Sequence, residues 1–173
     1  MTCLTIVQRV CKRVGLDAPS SAVGSTERQI LQILELSNES GQELARRYPW
    51  QAILGVGNFT TVATESQGSI STIAPGLDYI INDTIWNRTL RRPVYGPKTP
   101  QNWEQQKAFA INGPWSGYRL IGDTLAMYPV PTAGQDCYFE YISKNWVTTY
   151  TASTDDEWTN DADTSKLDEN LIV

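Results

Sequence analysis

The sequence predicts an α+β fold: a bundle of about four helices packed with a small antiparallel β-sheet, with the chain leaving that core as an extended C-terminal arm. Three observations predict it. Apolar residues recur at spacings of three and four as far as Ala110, the mark of helices with one buried face. Near Gly117 the period changes to two, and Gly122-Asp123 separates two alternating runs as a two-residue hairpin loop does. From Asp155 the chain turns acidic and poor in apolar residues until it reaches Leu171, Ile172 and Val173.

A first helix is predicted over 3–14, where Leu4, Val7, Val10, Cys11 and Val14 share a face and Gly15 ends it. A long second helix is predicted over 26–48. Thr26 with Gln29 three residues on forms a capping box, and Ile30, Ile33, Leu34, Ser37, Gly41, Leu44, Ala45 and Tyr48 run along one stripe until Pro49. The middle of that stripe is small at Ser37 and Gly41, and a helical Gly costs about 1 kcal/mol relative to Ala. Close approach of another helix, from this chain or a neighbouring copy, is the expected compensation.

Residues 53–73 alternate Thr, Val and Phe with Gly and Ser, which predicts a hairpin turning at Glu65–Gly68. Leu77, Ile80, Ile81, Ile85 and Leu90 predict a third helix over 77–91, ended by Pro93. Thr99 as N-cap with Pro100 at the first helical position predicts a fourth over 100–110. YRLIGDTLAMYPVP and CYFEYISKNWV then predict a three-stranded meander over 117–147. The core is thus 1–154, helical in about 1–50 and 75–111 and β in about 53–73 and 117–147, and 155–173 is an acidic docking arm.

A chain of 173 residues can bury a sizeable core, and no apolar run approaches the ~20 residues of a membrane span. The net charge of -5 is unevenly placed: residues 1–120 hold twelve Lys/Arg and nine Asp/Glu, residues 121–173 two and ten. Seven of those acids lie between Asp155 and Glu169. Such a segment reads as solvated or partner-seeking and mobile until bound.

No histidine is present, which removes the commonest general base and with it Ser-His-Asp and Cys-His mechanisms. Cys3, Cys11 and Cys137 form no CxxC pair and read as reduced, partly buried thiols. Reading Asp161 as the start of a calcium loop puts Lys166 at the glycine position and Ile172 at the bidentate Glu position, so that pattern fails. Phosphate-loop and dinucleotide fingerprints are missing. The chain is therefore expected to have no catalytic residue, cofactor or metal. The rival enzyme reading is a carboxylate hydrolase using Asp155, Asp156, Glu157, Asp161 and Asp163.

Arg88, Arg91 and Arg92, beside Trp86 and Tyr95, admit three readings: a protein interface, a solvated helix face with the arginines at i, i+3 and i+4, or a nucleic-acid patch. A pI near 4.7 counts against the last.

Taken together, MTCLTIVQRVCKRVGLDAPSSAVGST, NESGQELARRYPWQ, STIAPGLDYIINDTIWNRTLRRPVYGPKTPQNW, GPWSGYRLIGDTLAMYPVP and FEYISKNW resemble tailed-phage and prophage head-to-tail adaptors, also called tail accessory or head completion proteins. The resemblance runs from Met1 to about Lys166. It implies a structural virion protein, made in the host cytoplasm, that forms a homo-oligomeric ring of about 12 copies under the portal protein. Such a ring extends the DNA ejection channel and offers a docking surface to tail tube, nozzle or tail fibre proteins. Genomic DNA passes without sequence-specific binding, and no membrane is involved. The resemblance further implies that Trp86, Arg88, Arg91, Arg92 and Trp103 support contacts between neighbours, and that Leu171, Ile172 and Val173 dock toward the portal. In the family the C-terminal part continues as a helix or arm, whereas this sequence stops at Val173, where such a helix would begin.

Overall fold

The computed structural model describes residues 1–110 and 113–172. The chain is mixed α+β with antiparallel sheets, and it forms two compact units: Met1–Leu54 with Ser143–Val173, and Gly55–Ile142. The acidic end therefore belongs to the same unit as the N-terminal helices.

In the first unit, α1 (Cys3–Val14) has the expected bounds. Thr2 caps it by accepting from the Thr5 N–H, and Gly15 closes it with left-handed backbone. Its buried residues are Cys3, Ile6, Val7 and Cys11, whereas Val14 is exposed. The apolar face is turned from the expected one because residues of the acidic segment pack over the start of the helix. The Cys3 N–H donates to the Asp163 carbonyl at 2.8 Å and the Leu4 N–H to the Asp161 carbonyl at 3.2 Å, which pairs two of the donors a helix start leaves open. α2 (Arg28–Arg47) starts after Glu27 without a side-chain cap, so the Thr26–Gln29 capping box is not formed.

The small stripe of α2 receives indoles, not a second helix. A Cβ added at Gly41 would lie 2.2 Å from Cζ2 of Trp146, so that ring rests directly on the helix backbone. Trp146 meets Trp158 edge to face at 4.8 Å. The Trp158 indole donates to Ser37 Oγ at 3.1 Å, its backbone N–H donates to Asn38 Oδ1 at 2.9 Å, and the Trp146 indole donates to the Asp156 carbonyl at 2.8 Å.

Numbering the strands in chain order, the remainder of this unit is a three-stranded sheet ordered β10 (Thr154–Asp155), β9 (Val147–Thr148) and β11 (Thr164–Ser165). The expected mobile arm over 155–173 is thus corrected: its described part is folded onto α1 and α2. Two of its acids are backbone acceptors. Asp163, with no exposed surface, accepts from Tyr150 N at 3.0 Å, Thr159 N at 2.8 Å, Thr159 Oγ1 at 2.9 Å and Asn160 N at 2.7 Å. Asp161 accepts from Ala22 N at 2.9 Å, Val23 N at 2.7 Å and Ser21 Oγ at 2.7 Å. For both, burial works to raise the pKa, but these donors outweigh it and hold each carboxyl below its ordinary 3.8.

The second unit contains two sheets. One takes β8 (Asp136–Ser143) as its spine in the order β1 (Leu54–Thr60), β8, β4 (Trp86–Asn87), β5 (Arg92–Pro93), with β3 (Leu77–Ile80) also on β8. The other is ordered β2 (Ser66–Ser69), β7 (Thr124–Tyr128), β6 (Gly117–Ile121). The β6–β7 hairpin turns at Gly122-Asp123 as predicted, with Gly122 at φ 58°. The expected meander is not formed, because β8 leaves this hairpin for the other sheet. The expected hairpin over 53–73 also separates, β1 pairing with β8 and β2 with β7. Glycine directs β1: Cβ atoms at Gly55 and Gly57 would come within 2.4 Å of Tyr141 and 2.3 Å of Phe139, so only glycine lets those rings lie on the strand.

The third expected helix, 77–91, is replaced by β3 and β4 joined through a turn at Asn82-Asp83, where Asp83 is left-handed at φ 62°. Ile80, Ile81, Thr84 and Ile85 are β-branched, and β8 offers them a ladder that an isolated helix reading does not see. The single-turn α3 (Ile70–Ile73) follows β2. α4 (Pro100–Ala108) forms as predicted, with Thr99 accepting from Asn102 N at 3.2 Å. The core of this unit gathers Ile70, Ile80, Ile85, Val94, Tyr118, Leu125, Met127, Phe139 and Tyr141. Among the described residues, no helix is long and apolar enough to cross a membrane.

Replacing Gly41 by Ala should destabilise the protein, although helix propensity alone favours the change by about 1 kcal/mol. Overpacking against Trp146 costs typically 1–3 kcal/mol, so the net sign in urea unfolding is expected to be loss; a gain in stability would show that the indole moves aside freely. For Asp161 and Asp163 the folded pKa is depressed, so their stabilisation is present above the ordinary 3.8 and is lost as the pH falls through the folded values. Asp163→Asn is expected to cost about 2 kcal/mol at neutral pH, because buried N–H groups lose their charged acceptor, and to flatten the decline in stability as the pH falls below the ordinary carboxyl value of 3.8. An unchanged acid limb in thermal unfolding would contradict this.

Candidate protein-interaction site

β4 and β5 form a short hairpin, with Trp86 opposite Pro93 and Asn87 opposite Arg92. Its loop is Arg88-Thr89-Leu90-Arg91, closed by Arg91 in left-handed backbone at φ 54°. Four contacts hold that loop. The buried Asn87 side chain donates to Gln135 Oε1 at 2.6 Å and accepts from Leu90 N at 2.9 Å. Arg88 N donates to the Asp136 carbonyl at 2.8 Å, and Asp136 N donates to Thr89 Oγ1 at 2.9 Å. The arginines therefore project from a pinned turn and not from a helix ridge, which corrects the expected i, i+3, i+4 placement.

Because side chains alternate across a strand, the register divides the hairpin into two faces. Trp86 shares one face with Tyr138 of β8, its ladder partner, and Asn87 shares the other with Cys137. On the first face the Arg88 guanidinium stacks 3.7 Å over the Tyr138 ring, a cation–π contact. It forms part of an open groove of about 590 Å³ that is also lined by Asp83, Trp86, Arg91 and Glu140. Arg88 and Tyr138 also wall a second groove of about 460 Å³ that reaches Asn58 and Thr60 on β1. Arg92, opposite Asn87, lies 5.8 Å from the Trp115 ring and donates to the Pro114 carbonyl at 3.3 Å, while Trp115 meets Tyr95 edge to face at 5.9 Å. Trp86, Tyr95 and Trp115 are each about half exposed. Each of the two clusters thus pairs a cation with exposed aromatic surface, the composition enriched in protein interfaces.

The structure brings Trp86, Arg88 and Arg91 together and sets Arg92 apart from them. Trp103 is corrected: it is 1% exposed and packs edge to face with Tyr128 at 6.2 Å, so it anchors α4 inside the unit. Ile172 is buried beside Val10, Ile33 and Leu36, which corrects its expected place on an exposed end. Leu171 is about half exposed, and Val173 lies outside the described residues. Tyr138, Glu140 and Trp115 were not among the expected site residues. The alternation of Tyr138 and Glu140 with Cys137 and Phe139 is the signal that places the first two on an outward face.

The three free thiols are buried. Burial, then the charges of Asp161 and Asp163, push Cys3 up to about 12, and burial, then Asp136, push Cys137 up to about 11. Burial raises Cys11 as well. A thiol held protonated is the reverse of what a nucleophile or metal ligand needs. Among the described residues, no group of three or more Cys, Asp or Glu side chains is arranged to hold a metal ion.

Trp103→Ala should lower the stability of the isolated chain by about 3–5 kcal/mol, whereas Trp86→Ala should change it by less than about 1 kcal/mol. Equal losses in denaturant unfolding would contradict the assignment of one to the core and the other to the surface. No protein-family model and no curated protein matches this sequence.

Proposed function

We propose that this chain is a structural protein of a tailed-phage virion: a head-to-tail adaptor that assembles as a ring of about twelve copies beneath the portal protein, extends the DNA channel and presents a docking surface to the tail. The observation that carries the reading is the pair of exposed clusters at the β4–β5 hairpin, Trp86, Arg88 and Tyr138 in one and Arg92, Trp115 and Tyr95 in the other. A closed ring is built from heterologous contacts, in which a patch on each copy meets a different patch on the next. A subunit with two separate clusters of exposed aromatic and arginine surface suits that requirement. The hairpin loop is pinned through Asn87 and Thr89, so such surfaces are presented at little ordering cost.

The net charge of -5 supports the channel role, since acids near the duplex repel phosphates and keep passing DNA from sticking. That effect reaches about 8 Å in physiological salt. The chain carries out no chemistry in this role and takes no cofactor.

The test is the mass and symmetry of the particle formed by the full chain, by native mass spectrometry and single-particle imaging, alone and with portal rings. A closed ring that seats on the portal is expected. A monomer at every concentration, portal present, combined with salt-dependent DNA affinity, would sink the proposal in favour of a nucleic-acid-binding module.

A further inference from the structure

We infer that the groove beside the β4–β5 loop receives helix α2 of the next copy, with Arg88 and Arg91 facing Glu35 and Glu39. This contact rests on the ring reading above and names the surfaces that would close the ring. The occupant is a second copy of this chain, and the case for it is charge complementarity between two surfaces each left incomplete.

On the groove side, Arg88 and Arg91 are exposed, and among the described residues neither finds an ion-pair or side-chain hydrogen-bond partner; Arg88 stacks on the Tyr138 ring. They are the first and last residues of the four-residue hairpin loop, and both line the groove. On the helix side, Glu35 and Glu39 are exposed at i, i+4, a like-charged spacing that repels itself. Among the described residues neither finds an ion-pair partner: Glu43, one turn further on, takes Arg47. Residues one helical turn apart are separated by about 6 Å along the axis, so both acids can face one groove. Leu36, exposed at 60%, sits between the two acids in sequence and supplies apolar surface to meet half-exposed Trp86.

The groove is not uniformly basic, because Asp83 and Glu140 also line it. α2 answers that as well. Arg28 is exposed on the same stripe as Glu35, seven residues or about 10 Å before it, so a helix laid along the groove brings its basic start toward the acids and its acidic middle toward the arginines. Opposed charges in that order select one direction of docking and disfavour the reverse. The two patches are different surfaces, one on each unit of the chain, so the groove of one copy takes the helix of another.

The test is charge reversal in the full chain, read by sedimentation and native mass spectrometry. Arg88→Glu with Arg91→Glu, and separately Glu35→Arg with Glu39→Arg, should each weaken self-association by at least about 100-fold, because like charges then meet across the contact. Circular dichroism should be unchanged, since all four side chains are exposed. Mixing the two variants should restore assembly: every junction between unlike copies regains opposite charges, giving rings in which the variants alternate. The milder replacements Arg88→Gln with Arg91→Gln should weaken assembly less and reduce its salt dependence, which keeps the contact testable if a reversal variant misfolds. Wild-type rings that persist in both reversal variants would overturn this contact and leave the ring reading standing. Well-folded variants that fail to assemble alone and also fail when mixed would overturn the pairing of these two surfaces. A wild-type chain that stays monomeric with portal present would overturn both.

Discussion

The first unit is organised by the contact of the Trp146 ring with the backbone of α2 at Gly41, where any side chain would occupy the space of the indole. Trp146 and α2 are far apart in sequence, so this contact joins the two ends of the chain into one core. Trp158 meets Trp146 edge to face and donates to Ser37, which fixes the C-terminal segment on the same helix one turn before Gly41. The loss of helix propensity at Gly41 is offset by burial of an indole, and an aromatic side chain buries roughly 150–250 Å². Residues 143–172 depend on that anchor, since their short strands hold too few ladder hydrogen bonds to be stable alone.

Once the tryptophans are seated, the acids beside them become structural. Asp161 and Asp163 do not repel a packed core, because each is surrounded by N–H and hydroxyl donors that replace water. Their own carbonyls accept from the first turn of α1. One short stretch therefore serves both chain directions: carboxylates tie down the loops on either side, and carbonyls close a helix start. An acidic composition that reads as a solvated tail becomes a hydrogen-bond hub through the donors it meets.

The second unit applies the same economy to its aromatic residues. Gly55 and Gly57 clear space for Tyr141 and Phe139 on the inward face of β8, and the alternation of that strand leaves Tyr138 and Glu140 outside. Arg88 covers Tyr138, and the pinned hairpin loop sets Arg91 beside it. This exposed aromatic and arginine surface is thus the reverse side of the strand that organises the core, which makes its geometry as rigid as the packing beneath. Aromatic rings held in this way lose little freedom on binding, and that is the physical basis for reading them as contact surface.

Local signals by themselves determined a good part of the molecule: α1 between Thr2 and Gly15, the body of α2, α4 after Thr99-Pro100, and the β6–β7 hairpin at Gly122-Asp123. Each rests on caps, turns or periodicity within a few residues of the element. The lack of histidine likewise removed whole classes of chemistry before any fold was known, and the Trp86, Arg88 and Arg91 group stood out by composition. Tertiary structure decided the rest. Residues 77–91 carry an apolar pattern that fits a helix, and they become strands because β8, about fifty residues later, supplies the ladder. The same strand draws β1 away from β2 and leaves the β6–β7 hairpin without a third neighbour of its own making. Trp103 and Ile172 were indistinguishable in sequence from exposed contact residues, and only packing against Tyr128 and the α1–α2 groove buried them. Strand partnership and burial depend on surfaces remote in the chain, whereas helix ends and tight turns depend on neighbours, and that difference separates what was legible from what was not.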